Sequence, residues 1–439
     1  MADTGRQVNS GSTANSPRFS NLQQWLQWQE TLHPSAIELG LERVGRVADR
    51  LHCRQPAPRV ITVAGTNGKG SSVTLLEAIL LRAGYRVAAY TSPHLLRYNE
   101  RIRLNGNPVD DTTLCDAFAR VDTARADDSL TYFEFGTLAA LDIMTRESLD
   151  VALLEVGLGG RLDAVNIVDP DIALITTIGI DHIEWLGSDR EAIGREKAGI
   201  MRAQRPVVCG DSDPPASLLK TAQAVRAQLS ILGRDFHISQ RGRQWHWQGG
   251  KGQWRDLPRP ALAGAHQLAN AAGVLQVLDV MQAELPVERA AVEGGLKWVS
   301  LPGRVQQQSG SVEQILDVSH NAQAAEALAD TLRQLPPATH TYAVLGMMRD
   351  KDAAAFVQPF QELVTDWLVT DLSVERAGSA VQLAGMLQET GHAPVTPFAT
   401  MRDLIAHLQA RVKPGDRVMV CGSFFTVAEW LALEPVLPG

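Results

Sequence analysis

The stretch Ile61-Thr62-Val63-Ala64-Gly65-Thr66-Asn67-Gly68-Lys69-Gly70-Ser71 decides the fold of this chain. Its apolar first half predicts a buried strand, a glycine-rich turn with one lysine follows, and the amphipathic residues 72–83 predict a helix. In this order the N–H groups of the turn, the helix N-terminus and the lysine ammonium all attract phosphate. The stretch therefore predicts a phosphate-binding loop between a strand and a helix.

This loop differs from the common G-x-x-x-x-G-K-[ST] spacing. Val63 stands where the first glycine would be, Gly70 stands where the hydroxyl residue would be, and the hydroxyl follows at Ser71. A glycine-rich turn without a ligand is the alternative interpretation. The agreement of strand, loop, lysine and helix favours the phosphate site.

The composition is that of an ordinary globular protein. A length of 439 residues suggests two or three domains, and a hydrophobic content of 45% is ample for packed cores. The net charge of −8 does not favour nucleic acid or an anionic membrane as a partner. No apolar run approaches the roughly 20 residues that cross a bilayer. We expect a monomer without a nucleic-acid or membrane partner.

The N-terminus and the cysteines bear on the cellular compartment. Residues 1–20 are polar and lack the apolar core of a signal peptide, which predicts a disordered lead-in. The four cysteines are far apart and form no C-x-x-C pair, so we expect reduced thiols in a cytoplasmic protein. They are Cys53, Cys115, Cys209 and Cys421.

Predicted strands and helices alternate along most of the chain, which is typical of a parallel sheet covered by helices. Residues 243–254 contain a glycine-rich turn between short tryptophan-containing runs and predict a small antiparallel excursion, with the tryptophans used for packing. The predicted strands before it are 59–64, 86–90, 151–155, 172–177 and 206–209, and the predicted helices around it include 131–147, 265–281 and 287–299.

The run Ser300-Leu301-Pro302-Gly303-Arg304 interrupts this pattern and predicts a domain boundary. We therefore expect the lead-in at 1–20, a P-loop-type, mostly parallel domain at 21–299 and a smaller Rossmann-like α/β domain at 300–439. In the last part, strands are expected at 313–318, 341–345, 367–370 and 417–421, and helices at 322–333, 353–362, 380–389 and 401–410.

Polar side chains end several predicted strands, at the sheet edge where ligands gather. Glu155 ends an apolar run, and a buried carboxylate there needs either a metal or an ion pair. His182 follows the strand at 172–177, and its position beside Glu155 favours a ligand role over a capping role. Ser92 can cap a helix or ligate Mg²⁺. Lys197, judged by its neighbours alone, reads as part of a solvated helix face.

The second domain has a similar run at Leu316-Asp317-Val318-Ser319-His320-Asn321. Asn321 can act as a helix N-cap. Three polar groups at one strand end also indicate a site that faces the other domain. Arg304 could reach a phosphate, as could many surface arginines.

In this order the motifs resemble the folylpolyglutamate synthases, from about residue 25 to the end of the chain. The K-G-S form of the loop distinguishes them from the related Mur peptidoglycan ligases, and residues 39–44 and 133–138 are similar to the bifunctional bacterial branch. In the family pattern DxAHNP, Ser319 and Ala322 replace the alanine and the proline. The motifs are residues 65–71, 91–95, 155–163, 178–182, 196–200, 266–270, 302–304 and 317–321.

The resemblance implies an ATP-dependent ligase. A carboxylate of dihydropteroate or a reduced folate attacks the γ-phosphorus of ATP, and L-glutamate then displaces phosphate from the acyl phosphate. Two Mg²⁺ ions are implied, one held by Ser92 and Glu155 and one by Glu155, His182 and a carbamate on Lys197. The carbamate supplies carboxylate oxygens, so the resemblance overrides the first interpretation of Lys197.

The resemblance also assigns the remaining site residues. Lys69, Lys197 and His320 have catalytic roles, and His320 helps to position the incoming glutamate. ATP contacts are implied for Thr66, Asn67, Gly68, Lys69, Gly70, Ser71, Asn270, Arg304 and Asp317, with Ser71 also near the metal. Pterin contacts are implied for Ile37, Glu38, Leu39, Thr131, Tyr132, Phe133, Glu134, Leu162, Asp163 and Ala164.

Two other classes of protein remain as alternatives. The first is a Mur-type ligase that acts on a nucleotide-linked peptide. A separate N-terminal nucleotide-binding domain would favour this interpretation, but only about 58 residues precede the loop. The second is a P-loop switch or scaffold. A guanine-reading N-K-x-D motif would favour this interpretation, and the chain lacks one.

Overall fold

A computed structural model describes residues 17–242, 244–389, 391 and 393–437. The predicted lead-in at 1–20 lies mostly outside these residues. The helices are α1 (Leu22–Thr31), α2 (Glu42–Leu51), α3 (Lys69–Arg82), α4 (Asp111–Arg125), α5 (Tyr132–Thr145), α6 (Ile183–Leu186), α7 (Arg190–Ala198), α8 (Ala216–Ala224), α9 (His266–Val280), α10 (Arg289–Trp298), α11 (Ala322–Arg333), α12 (Ala353–Val357), α13 (Ala380–Glu389), α14 (Met401–Gln409) and α15 (Phe424–Leu433).

The strands form three sheets. They are β1 (Arg59–Ala64), β2 (Val87–Tyr90), β3 (Ile102–Leu104), β4 (Asn107–Pro108), β5 (Val151–Glu155), β6 (Ile172–Ile175), β7 (Pro206–Cys209), β8 (Gln228–Ile231), β9 (His237–Arg241), β10 (Gln244–Gln248), β11 (Gln253–Pro258), β12 (Gln306–Gln308), β13 (Glu313–Leu316), β14 (Thr341–Leu345), β15 (Asp366–Thr370), β16 (Val395–Phe398) and β17 (Arg417–Cys421).

The first sheet has eight strands in the order β4-β3-β2-β5-β1-β6-β7-β8. Strands β2, β5, β1, β6, β7 and β8 are parallel, while the short β3 and β4 pair antiparallel at one edge. β1 and β5 are central and almost wholly buried, as their continuous apolar sequences require. Their carboxyl ends carry the phosphate loop and Glu155 to the same edge.

The predicted antiparallel excursion is the three-stranded sheet β11-β10-β9. Trp245 and Trp247 of β10 are buried in the core that also contains α9, so these tryptophans do pack, as expected. The third sheet, β12-β13-β17-β14-β15-β16, is parallel except for β12. The predicted α/β class, with a mostly parallel sheet and a second α/β unit, is confirmed.

Several predicted boundaries were wrong. The helix after the phosphate loop begins at Lys69, so the lysine belongs to its first turn. The helix expected at 353–362 ends at Val357 and continues as a 3-10 turn over Gln358–Phe360, because Pro359 cannot donate the next helical hydrogen bond. No helix among the described ranges is long and apolar enough to span a bilayer. All four cysteines are free, and only Cys115 is not fully buried.

Candidate functional site

The carboxyl ends of the two large sheets face each other across one cavity of about 540 Å³, which we name the central cavity. Its walls come from the phosphate loop, from the strand ends of the first sheet and from the residues around His320 in the third sheet. Ligand sites in open α/β sheets lie at this edge of the strands. The predicted catalytic, ATP and metal residues all line this cavity.

Close packing fixes the conformation of the phosphate loop. Gly68 has φ +86°, and a Cβ there would lie 2.4 Å from Asn270 Oδ1, so only glycine fits. A Cβ at Gly65 would lie 1.8 Å from Thr176 Oγ1. The Thr176 hydroxyl in turn donates to the Asn67 carbonyl at 2.6 Å. The backbone conformation of the loop therefore depends on tertiary contacts as well as on its own glycines.

Lys69 points back over the loop that precedes it. Its half-buried ammonium donates to the carbonyls of Gly65 at 3.0 Å and Thr66 at 3.2 Å. Burial lowers the pKa of Lys69, and the nearby charges of Glu155 and Asp181 oppose this shift. Backbone carbonyls are weak partners for an ammonium, so a phosphate that entered the loop would be a stronger one.

Glu155 is buried at the end of β5, as its sequence position predicted. Its Oε2 accepts from the backbone N–H of Ser92 at 3.2 Å, which brings the two predicted metal residues together. Burial raises the pKa of Glu155, while the charge of Lys69 lowers it. The carboxylate has no salt bridge among the described residues, so it is available to a cation.

His182 and Lys197 line the same cavity. Burial lowers the pKa of His182 to about 4, so its imidazole is neutral near pH 7 and can ligate a metal. Lys197 is only 3% exposed, and its amine makes no hydrogen bond within the described part of the chain. Burial, followed by repulsion from Lys69, lowers the pKa of Lys197 to about 7. A solvated helix face, the interpretation from its neighbours alone, is wrong because α7 turns this residue inward.

The unmodified side chains do not form a ready metal centre. Within the described ranges, no group of three His, Cys, Asp or Glu side chains is placed to hold a metal ion. Glu155 and His182 therefore need a further donor, either on Lys197 or on a ligand.

The strand-end residues of the third sheet face the phosphate loop. Asp317 accepts from the backbone N–H groups of Val305 and Ser319, each at 2.8 Å. Asn321 caps α11 by accepting from Ala324 N at 2.9 Å. Its amide also exchanges hydrogen bonds of 3.2 Å with the amide of Asn67. The N-cap interpretation of Asn321 is therefore confirmed, and the residue also contacts the phosphate loop.

Asp181 connects the first sheet to the third sheet. Its sequence position did not indicate a site residue. Its Oδ2 accepts from Asn321 Nδ2 at 3.0 Å and lies 3.3 Å from His320 Nε2, while Oδ1 pairs with the ammonium of Lys351. Burial opposes ionisation of Asp181. The hydrogen bond with His320 and the charges of His182, His320 and Lys351 nevertheless hold its pKa well below the ordinary range.

We expect Asp181→Asn to destabilise the protein more than Asp350→Asn does. The Asp181 and Lys351 side chains are 8% and 9% exposed, and removing one charge of a buried pair costs about 3 kcal/mol. Asp350 contacts the same ammonium at 3.4 Å from a more exposed position. Thermal unfolding midpoints of both variants measure the difference. Equal midpoints would contradict a structural role for the Asp181–Lys351 pair.

The predicted ATP residues Ser71, Asn270 and Arg304 lie on one side of the central cavity. Gln267 links two of them, since its Nε2 donates to Ser71 Oγ at 3.4 Å and its Oε1 accepts from Asn270 Nδ2 at 3.0 Å. The Arg304 guanidinium lies 4.9 Å from the centre of the Phe424 ring. Burial lowers the pKa of Arg304, and the charges of Asp317 and Glu155 oppose this.

The predicted pterin residues Glu38 and Glu134 also line the central cavity and share one arginine. Arg43 donates to both Glu134 oxygens at 3.0 Å and pairs with the Glu38 carboxylate. Glu134 also closes a capping box with Thr131 at the start of α5. Glu38 is half-exposed, so its side chain is open to a ligand. Ile37 and Leu39 line the cavity beside it.

Asp163 is buried and bound by backbone amides. It accepts from Leu158 N at 2.8 Å and from Val165 N at 3.0 Å, and burial raises its pKa to about 6. Leu162, Ala164 and Phe133 line the cavity with it. Tyr132 is placed differently: its ring packs edge-on against Tyr98 and it is not among the lining residues, so its role in binding stays a prediction.

Besides Asp181, the cavity residues that were missed include Lys351, Gln267 and Arg101. Lys351 follows β14 in a polar run, and this is the same strand-end signal that selected Asp317. Gln267 lies in the motif at residues 266–270, yet nothing in its residue type distinguishes it from a surface glutamine. Arg101 lines the cavity although its neighbours in sequence, Glu100 and Arg103, point to a surface ion pair.

Comparisons with known proteins give the family. The Mur ligase middle domain model matches residues 63–278, and the model of the Mur ligase glutamate ligase domain matches residues 303–424. The chain is 43% identical to dihydrofolate synthase/folylpolyglutamate synthase of Escherichia coli strain K12, over 93% of this chain and 94% of that protein.

Solved structures agree in fold. E. coli FolC in complex with DHPP and ADP superposes with a TM-score of 0.89 at 43% identity, covering 94% of this chain and 98% of that one. A bifunctional folylpolyglutamate synthase/dihydrofolate synthase with Mn, AMPPNP and L-glutamate bound gives 0.87 at 46% identity, with the same coverage. The predicted relationship is confirmed: the chain belongs to the dihydrofolate synthase/folylpolyglutamate synthase family of Mur ligases.

Proposed function

We propose that this protein is an ATP-dependent ligase that joins L-glutamate to dihydropteroate and to reduced folates. The observation that carries the proposal is the convergence of the Lys69 loop, the buried Glu155 and the His320 edge on one cavity. Relatives of this chain have been solved with DHPP and ADP, and with Mn, AMPPNP and L-glutamate. We place the domain boundary near residue 300, between the ranges that the two family models match.

In the proposed reaction, a carboxylate oxygen of the acceptor bonds to the γ-phosphorus of ATP, and ADP leaves. The glutamate nitrogen then bonds to the acyl carbon, and phosphate leaves with the acceptor oxygen, while the ammonium nitrogen loses two protons and keeps one as the amide N–H. Both reactants of the first step are anions, so their charges must be neutralised. Lys69 and Arg304 line the cavity and supply positive charge for this purpose.

The residues present fit two Mg²⁺ ions, which would polarise the phosphate oxygens when bound. Within the described ranges, Glu155 accepts one hydrogen bond and forms no salt bridge, so its carboxylate oxygens can bind a metal. We propose Ser92 and Glu155 for one ion, with Ser71 nearby, and Glu155, His182 and a Lys197 carbamate for the other. The neutral imidazole of His182 and the unbonded amine of Lys197 suit these roles.

The third sheet serves the incoming glutamate. His320 and Lys351 lie together against Asp181, and we propose that His320 helps to position the amino acid. Asn270, Arg304 and Asp317 are assigned to ATP, together with the loop residues from Thr66 to Ser71.

An oxygen-labelling experiment tests the proposed chemistry. The acceptor carboxylate of dihydropteroate is labelled with oxygen-18, and the released phosphate is analysed by mass spectrometry after one turnover. The acyl phosphate route transfers one labelled oxygen to phosphate. Unlabelled phosphate released with stoichiometric product would overturn the route.

The wall that contains Glu38 and Asp163 is assigned to dihydropteroate. In that shorter acceptor the reacting carboxylate is on the aminobenzoate ring, whereas a folate extends one glutamate further, so the two pterin rings occupy different places. We therefore expect Asp163→Ala to reduce kcat/KM for dihydropteroate at least about tenfold more than for a reduced folate.

Loss of the hydrogen bonds that the Asp163 carboxylate accepts from backbone N–H groups also costs about 1 kcal/mol of stability. A smaller folded fraction lowers both activities equally, so the ratio of the two kcat/KM values isolates the binding effect. An unchanged ratio would mean that one pterin site serves both acceptors.

A further inference from the structure

Arg101 is a buried arginine without an acidic partner among the residues that the structure describes. It ends the 3-10 turn Tyr98–Arg101, is 8% exposed and lines the central cavity. Its Nε donates to His94 Nδ1 at 2.9 Å. None of the described carboxylates forms a salt bridge with it, whereas the neighbouring Arg103 pairs with Glu77 at 2.7 Å.

The surroundings of Arg101 stabilise its charge without neutralising it. The guanidinium carbon lies 5.1 Å from the centre of the Tyr98 ring and 5.6 Å from that of Tyr132, and aromatic faces attract cations. Burial, followed by the charge of Arg101, lowers the pKa of His94 to about 4. His94 is therefore a neutral acceptor near pH 7, and Arg101 keeps its net positive charge.

The nearby glutamates are already engaged. Glu134 and Glu38 both pair with Arg43. Glu100 accepts from three consecutive backbone N–H groups, those of residues 95–97. A buried charge without a counter-ion is costly, so this position suits an anion that arrives with a ligand.

The position of Arg101 indicates which substrate brings that anion. Its ring contact Tyr132 lies between Thr131 and Phe133 in sequence, two residues that line the wall assigned to dihydropteroate. Both acceptors must bring their reacting carboxylate to the same phosphate, so the terminal glutamate of a folate enters the same end of this wall. Lys69 and Arg304 are the cations that we assign to the phosphates of ATP. Dihydropteroate has a single carboxylate, which reacts. A folate ends in a glutamate with two carboxylates, so one is left over after the other reacts.

We propose that the guanidinium of Arg101 binds the unreacting carboxylate of the terminal glutamate of a folate acceptor. This assignment rests on the proposed function. The planar fork of an arginine matches a carboxylate with two parallel hydrogen bonds. Dihydropteroate offers no such group, so Arg101 selects for glutamate addition to folates and contributes little to dihydrofolate synthesis.

The test compares KM values for the two acceptors in Arg101→Met, which keeps an apolar stem against Tyr98 and Tyr132. We expect KM for a reduced folate to rise about tenfold or more and KM for dihydropteroate to change less than about threefold. Arg101→Lys, which keeps the charge but loses the fork, should give an intermediate rise. Arg97→Gln is the matched control, because it removes an exposed arginine of the same segment that pairs with Asp111 outside the cavity.

A substrate analogue makes the test independent of folding. A reduced folate whose unreacting carboxylate is converted to an amide should show a KM about tenfold higher with the unmodified protein, and no further rise with Arg101→Met. An equal rise of KM for both acceptors, or a rise of KM for L-glutamate or ATP in both reactions, would overturn the assignment. So would an amide analogue that binds the unmodified protein as well as the folate does. If the unmodified protein uses neither acceptor, the proposed function fails instead.

Discussion

Lys69→Ala is expected to lower kcat by about a thousandfold or more and to leave the fold intact. Lys69 is the charged residue of the loop at residues 65–71, whose other side chains are neutral. Among the described residues the hydrogen bonds of its ammonium go to the carbonyls of Gly65 and Thr66 and it forms no salt bridge, so its removal breaks no direct ion pair. Transition-state charge on the transferred phosphoryl group would lose its main protein cation.

Steady-state kinetics and thermal unfolding midpoints check this expectation together. Lys220→Ala, which changes an exposed lysine of α8, is the matched control and should keep near-normal activity. If Lys69→Ala retains turnover within about tenfold of the unmodified protein, the loop does not bind the reacting phosphates.

Lys197→Ala has the second of the two largest expected effects, a loss of activity that acetate partly restores. Its amine is buried and makes no hydrogen bond with any residue that the structure describes, and burial lowers its pKa to about 7. A large fraction of the amine is therefore neutral near pH 7.5, and a neutral amine reacts with CO₂ to give a carbamate and a proton. Acetate can supply carboxylate oxygens in the space that the truncated side chain leaves.

Carbon-13 NMR after equilibration with labelled bicarbonate gives a readout besides activity. The unmodified protein and Arg195→Ala, which alters an exposed residue of the same helix, should both show a carbamate signal. Lys197→Ala should not. An unmodified protein that is fully active with no carbamate signal would contradict this role of Lys197.

The central sheet and the first half of the site could be predicted because their signals are local. An apolar run that ends in a polar residue marks the carboxyl end of a buried parallel strand, and parallel strands bring such ends to one edge. This reasoning located Glu155, His182 and Asp317 from their sequence positions. The strands β4 and β9 were missed because they are polar and largely exposed, and β3 and β12 were missed because three residues carry little hydrophobic pattern.

The remaining site residues depend on contacts between elements that are distant in sequence. Lys351 acquires its role from Asp181, 170 positions earlier in the chain. Arg101 resembles the surface-paired Arg97 in sequence, and only the packing of Tyr98 and Tyr132 shows that it is buried and unpaired. The inward orientation of Lys197 likewise follows from how α7 packs and not from the residues beside it.

The central claim is that the protein uses ATP to join L-glutamate to either of two acceptors, and that both reactions take place in the central cavity. The most direct measurement is ADP release by the purified protein with L-glutamate and either dihydropteroate or a reduced folate, with each substrate omitted in turn. The account predicts ATP turnover that requires both L-glutamate and an acceptor, with one amide product formed per ADP. Turnover that is the same with and without both acceptors would contradict it.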